Sequence, residues 1–119
     1  DLTKGEWKMP SKIFEGRYNN SSDQIYTVER GKIFKGRYTN SSDELKNFNL
    51  AAIKIDGNKV YKGKSIDSSN QIMTVENLKI FKGKYTNSSD QIALIEGDRL
   101  SDSEFEQVIY LLAQRNNLI

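Results

Sequence analysis

The chain of 119 residues contains no cysteine and no histidine, and it has one proline and one tryptophan. Without cysteine, disulfides, thiolate nucleophiles and Cys-ligated zinc or iron–sulfur clusters are excluded. Without histidine, Ser-His-Asp and Cys-His catalytic arrangements are excluded, and so are nearly all zinc, copper and haem sites. No apolar run approaches the ~18 residues of a membrane helix. We therefore expect no metal, no cofactor and no membrane partner.

What is present fits one globular domain that spans residues 1–119. Hydrophobic residues make up 36% of the chain, so the core should be thin. The net charge is only +2, which provides no strong field to attract a polyanion. No secretory signal is visible, which favours a cytoplasmic location, but a leader before Asp1 is left open and the location stays undetermined.

The chain is built from a repeat. Four nearly identical strings start at Lys12, Lys32, Lys59 and Lys79, and such strings do not recur four times by chance. The repeats divide the chain into an N-terminal strand or arm, four hairpin units and a C-terminal helix. These segments are residues 1–11, then 12–31, 32–58, 59–78 and 79–98, and finally 101–115.

Each unit is predicted to form two strands. The first contains a Lys-apolar-aromatic run, and the second is rich in Ile, Val and Thr, which favour pleated surfaces. An Asn-Ser-Ser-Asp loop joins the two strands, and a short turn with Gly or Asn follows each unit. A glycine recurs within the first strand of every unit, where we expect a bend that curves the sheet. These glycines are Gly16, Gly36, Gly63 and Gly83.

Two-stranded units cannot bury a core alone, and exposed edges favour aggregation. We therefore predict an all-β fold of four tandem hairpin repeats. The repeats should close as a small barrel or a miniature propeller-like ring, with an open stack as the alternative. The segment 2–10 is a candidate for the strand that completes a fifth, broken unit at Arg99 and Leu100.

One α-helix is predicted after the repeats. Ser101 and Glu104 form a capping box, and Leu100 with Phe105 form a hydrophobic staple. Apolar residues then follow at helical spacing, and two asparagines provide a stop. The helix is expected either to cover one end or face of the sheet, or to pair with a second copy in a homodimer.

The aromatic-x-Gly-x-Ser/Tyr pattern, followed by Ser-Ser-x-Asp and a short amphipathic helix, resembles small bacterial proteins with tandem IYxGxSxSSxD hairpins. The resemblance covers residues 12–114. Those proteins mostly carry Ser where Tyr18, Tyr38 and Tyr85 stand here, and Ser65 conforms. The resemblance implies the hairpin fold and the helix, and it implies no activity.

Basic and aromatic residues recur together in the repeat, which is a pattern suited to single-stranded nucleic acid. Acidic residues recur as well and neutralise the basic ones, so a solvated structural role is favoured and nucleic acid is not the expected partner. The candidate ligand-binding residues are Arg17, Arg37, Lys64, Lys84, Tyr18, Tyr38 and Tyr85.

The Asn-Ser-Ser-Asp loops have three readings. Turn stabilisation is favoured, because these side chains bond nearby backbone groups. A calcium site is disfavoured, because each loop offers one carboxylate at most. Several loops together could also bind a glycan through Asn, Asp and neighbouring Tyr.

One insertion breaks the repeat. The second unit is longer by about the segment 44–50, and insertions in repeat proteins often lie on the binding face. The alternative is a lengthened strand or a bulge that helps the ring close. Asn47, Phe48 and Asn49 are the candidate partner-binding residues, with Phe48 as an exposed anchor. We expect Phe48→Ala to weaken partner capture with little effect on melting.

No phosphate loop, nucleotide fingerprint or nucleophile elbow is present, and no pair of acids stands out from the repeated ones. We therefore predict that the protein is not an enzyme and has no catalytic residues. The leading hypothesis is a binding or scaffold module that contacts an unidentified protein partner.

Overall fold

The computed structural model describes residues 9–119, so most of the segment 1–11 lies outside the described residues. The described chain forms nine strands and one α-helix. They are β1 (Ser11–Glu15), β2 (Gln24–Glu29), β3 (Lys32–Lys35), β4 (Glu44–Leu45), β5 (Ile53–Asp56), β6 (Lys59–Lys62), β7 (Gln71–Glu76), β8 (Lys79–Lys82), β9 (Gln91–Glu96) and α1 (Asp102–Arg115). The predicted hairpin repeat and C-terminal helix are confirmed.

All nine strands belong to one antiparallel sheet with the order β4-β3-β2-β1-β9-β8-β7-β6-β5. The first strand therefore lies beside the last one, with Ile13 opposite Ile95. Within the described residues β4 and β5 are the two edges and do not pair with each other. The prediction of a closed barrel or ring is therefore wrong.

The sheet opens where the repeat is interrupted by the insertion. The edge strand β4 has only two residues, so it offers little length for pairing with β5. The two edge strands are consecutive in the chain, and the connection 46–52 joins them across the gap.

The inner face of the sheet packs around α1. Six consecutive residues of α1 are buried. They are Val108, Ile109, Tyr110, Leu111, Leu112 and Ala113. Six consecutive buried positions cover every side of a helix, so the curved sheet and the connection 46–52 surround it. Inward-facing strand residues such as Ile13, Ile33 and Ile80 join the helix in one core cluster.

The outer face carries a second buried layer. Neighbouring strand residues point to opposite faces, and the aromatic residue after each inward-facing Ile or Val is also buried. A 3-10 turn in each unit's loop contacts the first strand of that unit. In the first unit, the Asn19 side-chain amide donates to the Glu96 carboxylate at 2.8 Å. Glu96 lies opposite Lys12, so this loop folds back along the strand and covers Phe14.

The repeated glycines have a different position from the predicted one. Gly16 and its equivalents come directly after the first strand of each unit, rather than inside it. Gly16 has φ +86° and Gly36 has φ +84°, which is the left-handed region that glycine adopts without strain. The Gly36 N–H still donates to the Ile25 carbonyl at 2.7 Å. Gly16, Gly36 and Gly83 thus complete a bond to the neighbouring strand. Gly63 bonds to Ala52, directly before β5. Each glycine then reverses the chain into its loop.

The helix has the predicted bounds and caps. Ser101 Oγ accepts from the Glu104 N–H at 3.1 Å, and the Glu104 carboxylate accepts from the Ser101 N–H at 2.8 Å. The other Glu104 oxygen accepts from the Gly31 N–H at 2.8 Å, which ties the helix to the turn between β2 and β3. At the far end, the Leu118 N–H donates to the Ala113 carbonyl at 2.8 Å, and Asn117 has φ +58°. This pattern is a Schellman stop.

The apolar stripe of α1 is covered by its own chain. Leu118 and Ile119 also pack against the core cluster. The prediction that the helix covers a sheet face is therefore confirmed. Pairing with a second copy through α1 stays a prediction.

Candidate functional site

The loops after the first strands present large side chains to solvent. We call residues 16–23, 36–43, 63–70 and 83–90 the outer loops. Tyr18 is 62% exposed, Tyr38 is 64% exposed and Tyr85 is 69% exposed. The third outer loop has Ser65 at the equivalent position, and its neighbour Ile66 is 53% exposed. Every outer loop therefore exposes one large side chain that a core would normally bury.

Local backbone structure holds these side chains outward. The left-handed glycine starts each outer loop, and a 3-10 turn such as Ser21–Asp23 ends it. The backbone N–H of Asp23 donates to the Asn20 carbonyl at 2.9 Å, and the equivalent bond recurs in the other three loops. The Asn20 side chain makes no capping bond to its turn. The loop shape thus depends on backbone bonds and leaves the amide side chain for other contacts.

Basic residues accompany the exposed tyrosines. Arg17, Arg37, Lys64 and Lys84 are all exposed. The guanidinium carbon of Arg17 lies 5.9 Å from the Tyr18 ring centroid, and Arg37 lies 6.0 Å from Tyr38. These are cation–π distances, and such pairs are worth about 0.5–1 kcal/mol at exposed sites. The structure thus brings Arg17 to Tyr18 and Arg37 to Tyr38, as the repeat pattern suggests.

The sheet order arranges the outer loops around the molecule. The order of units across the sheet is the second, first, fourth and third, which places the exposed side chains in the order Tyr38, Tyr18, Tyr85 and Ile66. Neighbouring units are two strands apart, or about 9.5 Å at the sheet. The exposed residues therefore form a regular array on the outer surface, and we call it the loop array.

A buried polar relay supports part of the loop array. The Gln24 amide donates to Thr27 Oγ1 at 2.8 Å, and Thr27 donates to the Gly36 carbonyl at 2.8 Å. The same relay runs from Gln71 through Thr74 to Gly83. Each relay links the second strand of one unit to the first residue of the next unit's outer loop. It fixes the position where that loop begins.

Phe48 in the insertion is not the exposed anchor that was predicted. Phe48 is half-buried and meets Tyr110 of α1 edge-to-face, with ring centroids 6.2 Å apart. Asn47 and Asn49 on either side are exposed. Phe48 therefore packs on the helix, and the expectation that Phe48→Ala leaves melting unchanged does not fit this contact. The role of Asn47, Phe48 and Asn49 in partner binding stays a prediction.

Sequence reasoning did not anticipate a hollow at the C-terminal end of α1. It has a volume of about 390 Å³ and lies between α1 and strands β2, β3 and β4. Leu111, Arg115, Tyr26, Lys35 and Leu45 are among its lining residues. Burial raises the pKa of the Tyr26 phenol above 10.0, although the nearby Arg115 guanidinium acts in the opposite direction. One signal was available, because Tyr26 stands where the third and fourth units have Met73 and Ala93.

Some kinds of site are absent from the described residues. Between residues 9 and 119 no group of three or more acidic side chains comes together as a metal site. In the same part of the chain no helix has the length and apolar character needed to span a bilayer. Every buried side-chain nitrogen and oxygen described has a hydrogen-bond partner.

Comparison with known proteins gives one match. A family model described as "6-fold beta flower protein" matches residues 46–116, which is more than half of the chain. The matched part runs from the connection 46–52 through the third and fourth units to the end of α1. No curated protein and no solved structure matches the chain.

Proposed function

The chain belongs to the 6-fold beta flower family, and we propose that it is a non-catalytic binding module that holds a protein partner through its loop array. One observation carries this proposal. Every outer loop exposes a large side chain, and Tyr18, Tyr38 and Tyr85 are each more than 60% exposed. Monomeric proteins expose scattered apolar residues, but a repeated set at equivalent positions indicates an interaction surface.

The composition of the outer loops supports a protein partner. They combine Tyr, Ser, Asn and Gly with Arg or Lys. Antibody binding loops use the same set, because tyrosine offers a large contact area with few rotatable bonds and the small polar residues adapt their hydrogen bonding. Tyrosine and arginine are also the residues that most often dominate binding energy at interfaces. The loops lie on a rigid sheet, which is the usual support for recognition loops.

A glycan is the second candidate ligand. The side chains of the loop-end residues Asn20, Asn40 and Asn87 make no capping bonds to their turns, and amides beside an exposed ring are suited to bond sugar hydroxyls. Single-stranded nucleic acid would use the same tyrosines together with the basic residues, and its binding would weaken steeply with salt.

The test compares two triple variants. Tyr18→Ser, Tyr38→Ser and Tyr85→Ser together install the residue that the third unit already carries at Ser65, so the fold should be retained. The matched control changes the exposed first-strand residues Lys32, Lys59 and Lys79 to Ser. Proteins captured from the native cell extract would be purified and titrated against the wild type and both variants.

We expect the tyrosine variant to lose at least tenfold in affinity for the captured protein and the lysine variant to keep it. Equal binding by the tyrosine variant would overturn the loop array as the site. A glycan hit that depends on the tyrosines would replace the protein partner with a sugar. An oligonucleotide hit with a steep salt dependence would replace it with nucleic acid. A further variant, Asn47→Ala with Asn49→Ala, tests whether the insertion contributes to affinity for the captured protein.

A further inference from the structure

The hollow at the C-terminal end of α1 is lined by positively charged and apolar side chains. Ile25, Leu45 and Leu111 supply the apolar side chains among its lining residues, and Lys35 and Arg115 supply two positive charges. No aspartate or glutamate lines it. Its volume of about 390 Å³ lies within the usual range for small-molecule sites, about 300–1,000 Å³.

We infer that this hollow is a binding site for a small organic anion, with a carboxylate held by Lys35 and Arg115 and an apolar body against Leu45 and Leu111. Arginine suits this role because its planar guanidinium binds carboxylates through two parallel hydrogen bonds. The site is independent of the loop array and does not rest on the proposed function.

The present partner of Arg115 is a weak competitor. Its guanidinium lies 3.3 Å from the Glu15 carboxylate, and the two side chains are 40% and 59% exposed. Exposed ion pairs of this kind contribute little stability, typically below about 1 kcal/mol. The carboxylate of a ligand can therefore replace Glu15, or share the guanidinium with it, without a large loss.

The helix end does not prevent anion binding. A helix C-terminus carries partial negative charge on its last carbonyls. Here the Leu112, Ala113 and Gln114 carbonyls accept bonds from the N–H groups of residues 116, 118 and 117. These bonds satisfy the helix end internally, so the charged side chains at the hollow are Lys35 and Arg115, together with Glu15 as the present partner of Arg115.

Tyr26 adds a neutral donor to the site. The side chain is only 7% exposed and lines the hollow from β2. Burial keeps its phenol protonated, because the pKa is raised above 10.0. A protonated phenol beside two cations is suited to donate a hydrogen bond to a carboxylate oxygen.

The test uses 1-naphthoate as the probe, with calorimetric titration and NMR mapping of the full chain. We expect saturable 1:1 binding with shifts confined to the lining residues. Uncharged 1-naphthalenemethanol should bind at least tenfold more weakly. Arg115→Gln and Lys35→Gln should each lower the affinity about tenfold, and Tyr26→Phe should lower it severalfold.

The matched control is Lys82→Gln, because Lys82 occupies in the fourth unit the position of Lys35 and does not line the hollow. This control should bind the probe as the wild type does. The proposal is overturned if the wild type shows no saturable binding at millimolar probe. It is also overturned if Lys82→Gln weakens binding as much as Lys35→Gln. Lys35 and Arg115 are exposed, so unchanged melting of both variants will confirm that they remain folded.

Discussion

Each first strand places two neighbouring residues in two different layers, and β8 shows the contrast most simply. Ile80 faces inward, is fully buried and joins the cluster around α1. Phe81 is the next residue and is buried as well, but it lies outside that cluster, on the face covered by its unit's own loop. The inner layer is shared by all units, whereas the outer layer consists of separate pieces.

Because of this difference, the inner layer stabilises the whole domain, and the outer layer carries the loops proposed for recognition. The inner layer depends on contacts between residues far apart in the chain, so a defect there should be felt by the whole domain. A defect in the outer layer should affect the unit that contains it and the neighbour that is hydrogen-bonded to its loop. The outer loops can therefore differ in sequence from unit to unit, as Ser65 and Tyr85 do, while the sheet and helix remain the same.

The largest effect is expected for Ile80→Ala. Removal of a fully buried Ile leaves a cavity against the helix and should lower the free energy of unfolding by about 2–5 kcal/mol. That is a large share of the about 5–15 kcal/mol typical of a domain. Urea unfolding measures it, and the exposed neighbour Lys79→Ala is the control. A loss below 1 kcal/mol would contradict a shared inner layer.

Phe81→Ala should lower the free energy of unfolding by about 3 kcal/mol, the low end of the range for a buried phenylalanine, because the loop above it can settle onto the smaller side chain. Backbone amide hydrogens should exchange faster in β8 and in the loop 83–90, while those of the first two units should stay protected. Faster exchange spread evenly over all units would show that the outer layer is not divided into separate pieces.

Thr74→Val should destabilise the domain by about 1–2 kcal/mol. It removes the hydroxyl that bonds the Gly83 carbonyl and accepts from Gln71, and so leaves both groups without this partner. Thr27→Val removes the equivalent relay and should have an equal effect, measured by thermal melting. Unequal losses of stability would show that the two relays contribute unequally to the outer layer.

Phe48→Ala should lower stability by about 1 kcal/mol, through loss of the edge-to-face contact with Tyr110 and part of the apolar burial. Asn49→Ala is the exposed control and should leave the melting temperature unchanged. An unchanged melting temperature for Phe48→Ala would separate the connection 46–52 from the inner layer.

The smallest effect concerns pH. Burial raises the Tyr26 pKa above 10.0 in the folded state, so the unfolded chain loses the phenol proton first. The neutral phenol thus contributes stability in full below pH 10, and this contribution falls as pH rises from 10 toward the folded pKa. Tyr26→Phe should reduce the alkaline slope of stability relative to the wild type. Identical slopes above pH 10 would contradict this account.

Local signals predicted the local structure well. The capping box at Ser101 and Glu104 identified the start of α1, and the Asn-Ser-Ser-Asp strings identified the loops, because both depend on residues within one or two turns of each other. The repeat also placed tyrosines at equivalent loop positions. Their exposure depends on the path of the outer loop, which covers Phe14 and leaves Tyr18 in solvent.

Long-range structure was not accessible in the same way. The pairing of β1 with β9 joins residues about 80 positions apart, and no local preference encodes it. The sheet opens at the connection 46–52, and the path of that connection depends on its packing against α1, which a strand pattern does not contain. The hollow beside Tyr26 and Arg115 likewise arises only when β2 and the end of α1 meet.

The open edge affects how such a domain can evolve. A closed barrel fixes its number of strands, since each addition must re-form every register. Here a short connection spans the gap, so duplication or deletion of one hairpin changes how much of the helix is covered and leaves the remaining pairings intact. Recombination between near-identical repeats would therefore yield folded intermediates, and a designer can lengthen the loop array by splicing a copy of the fourth unit between β4 and β5.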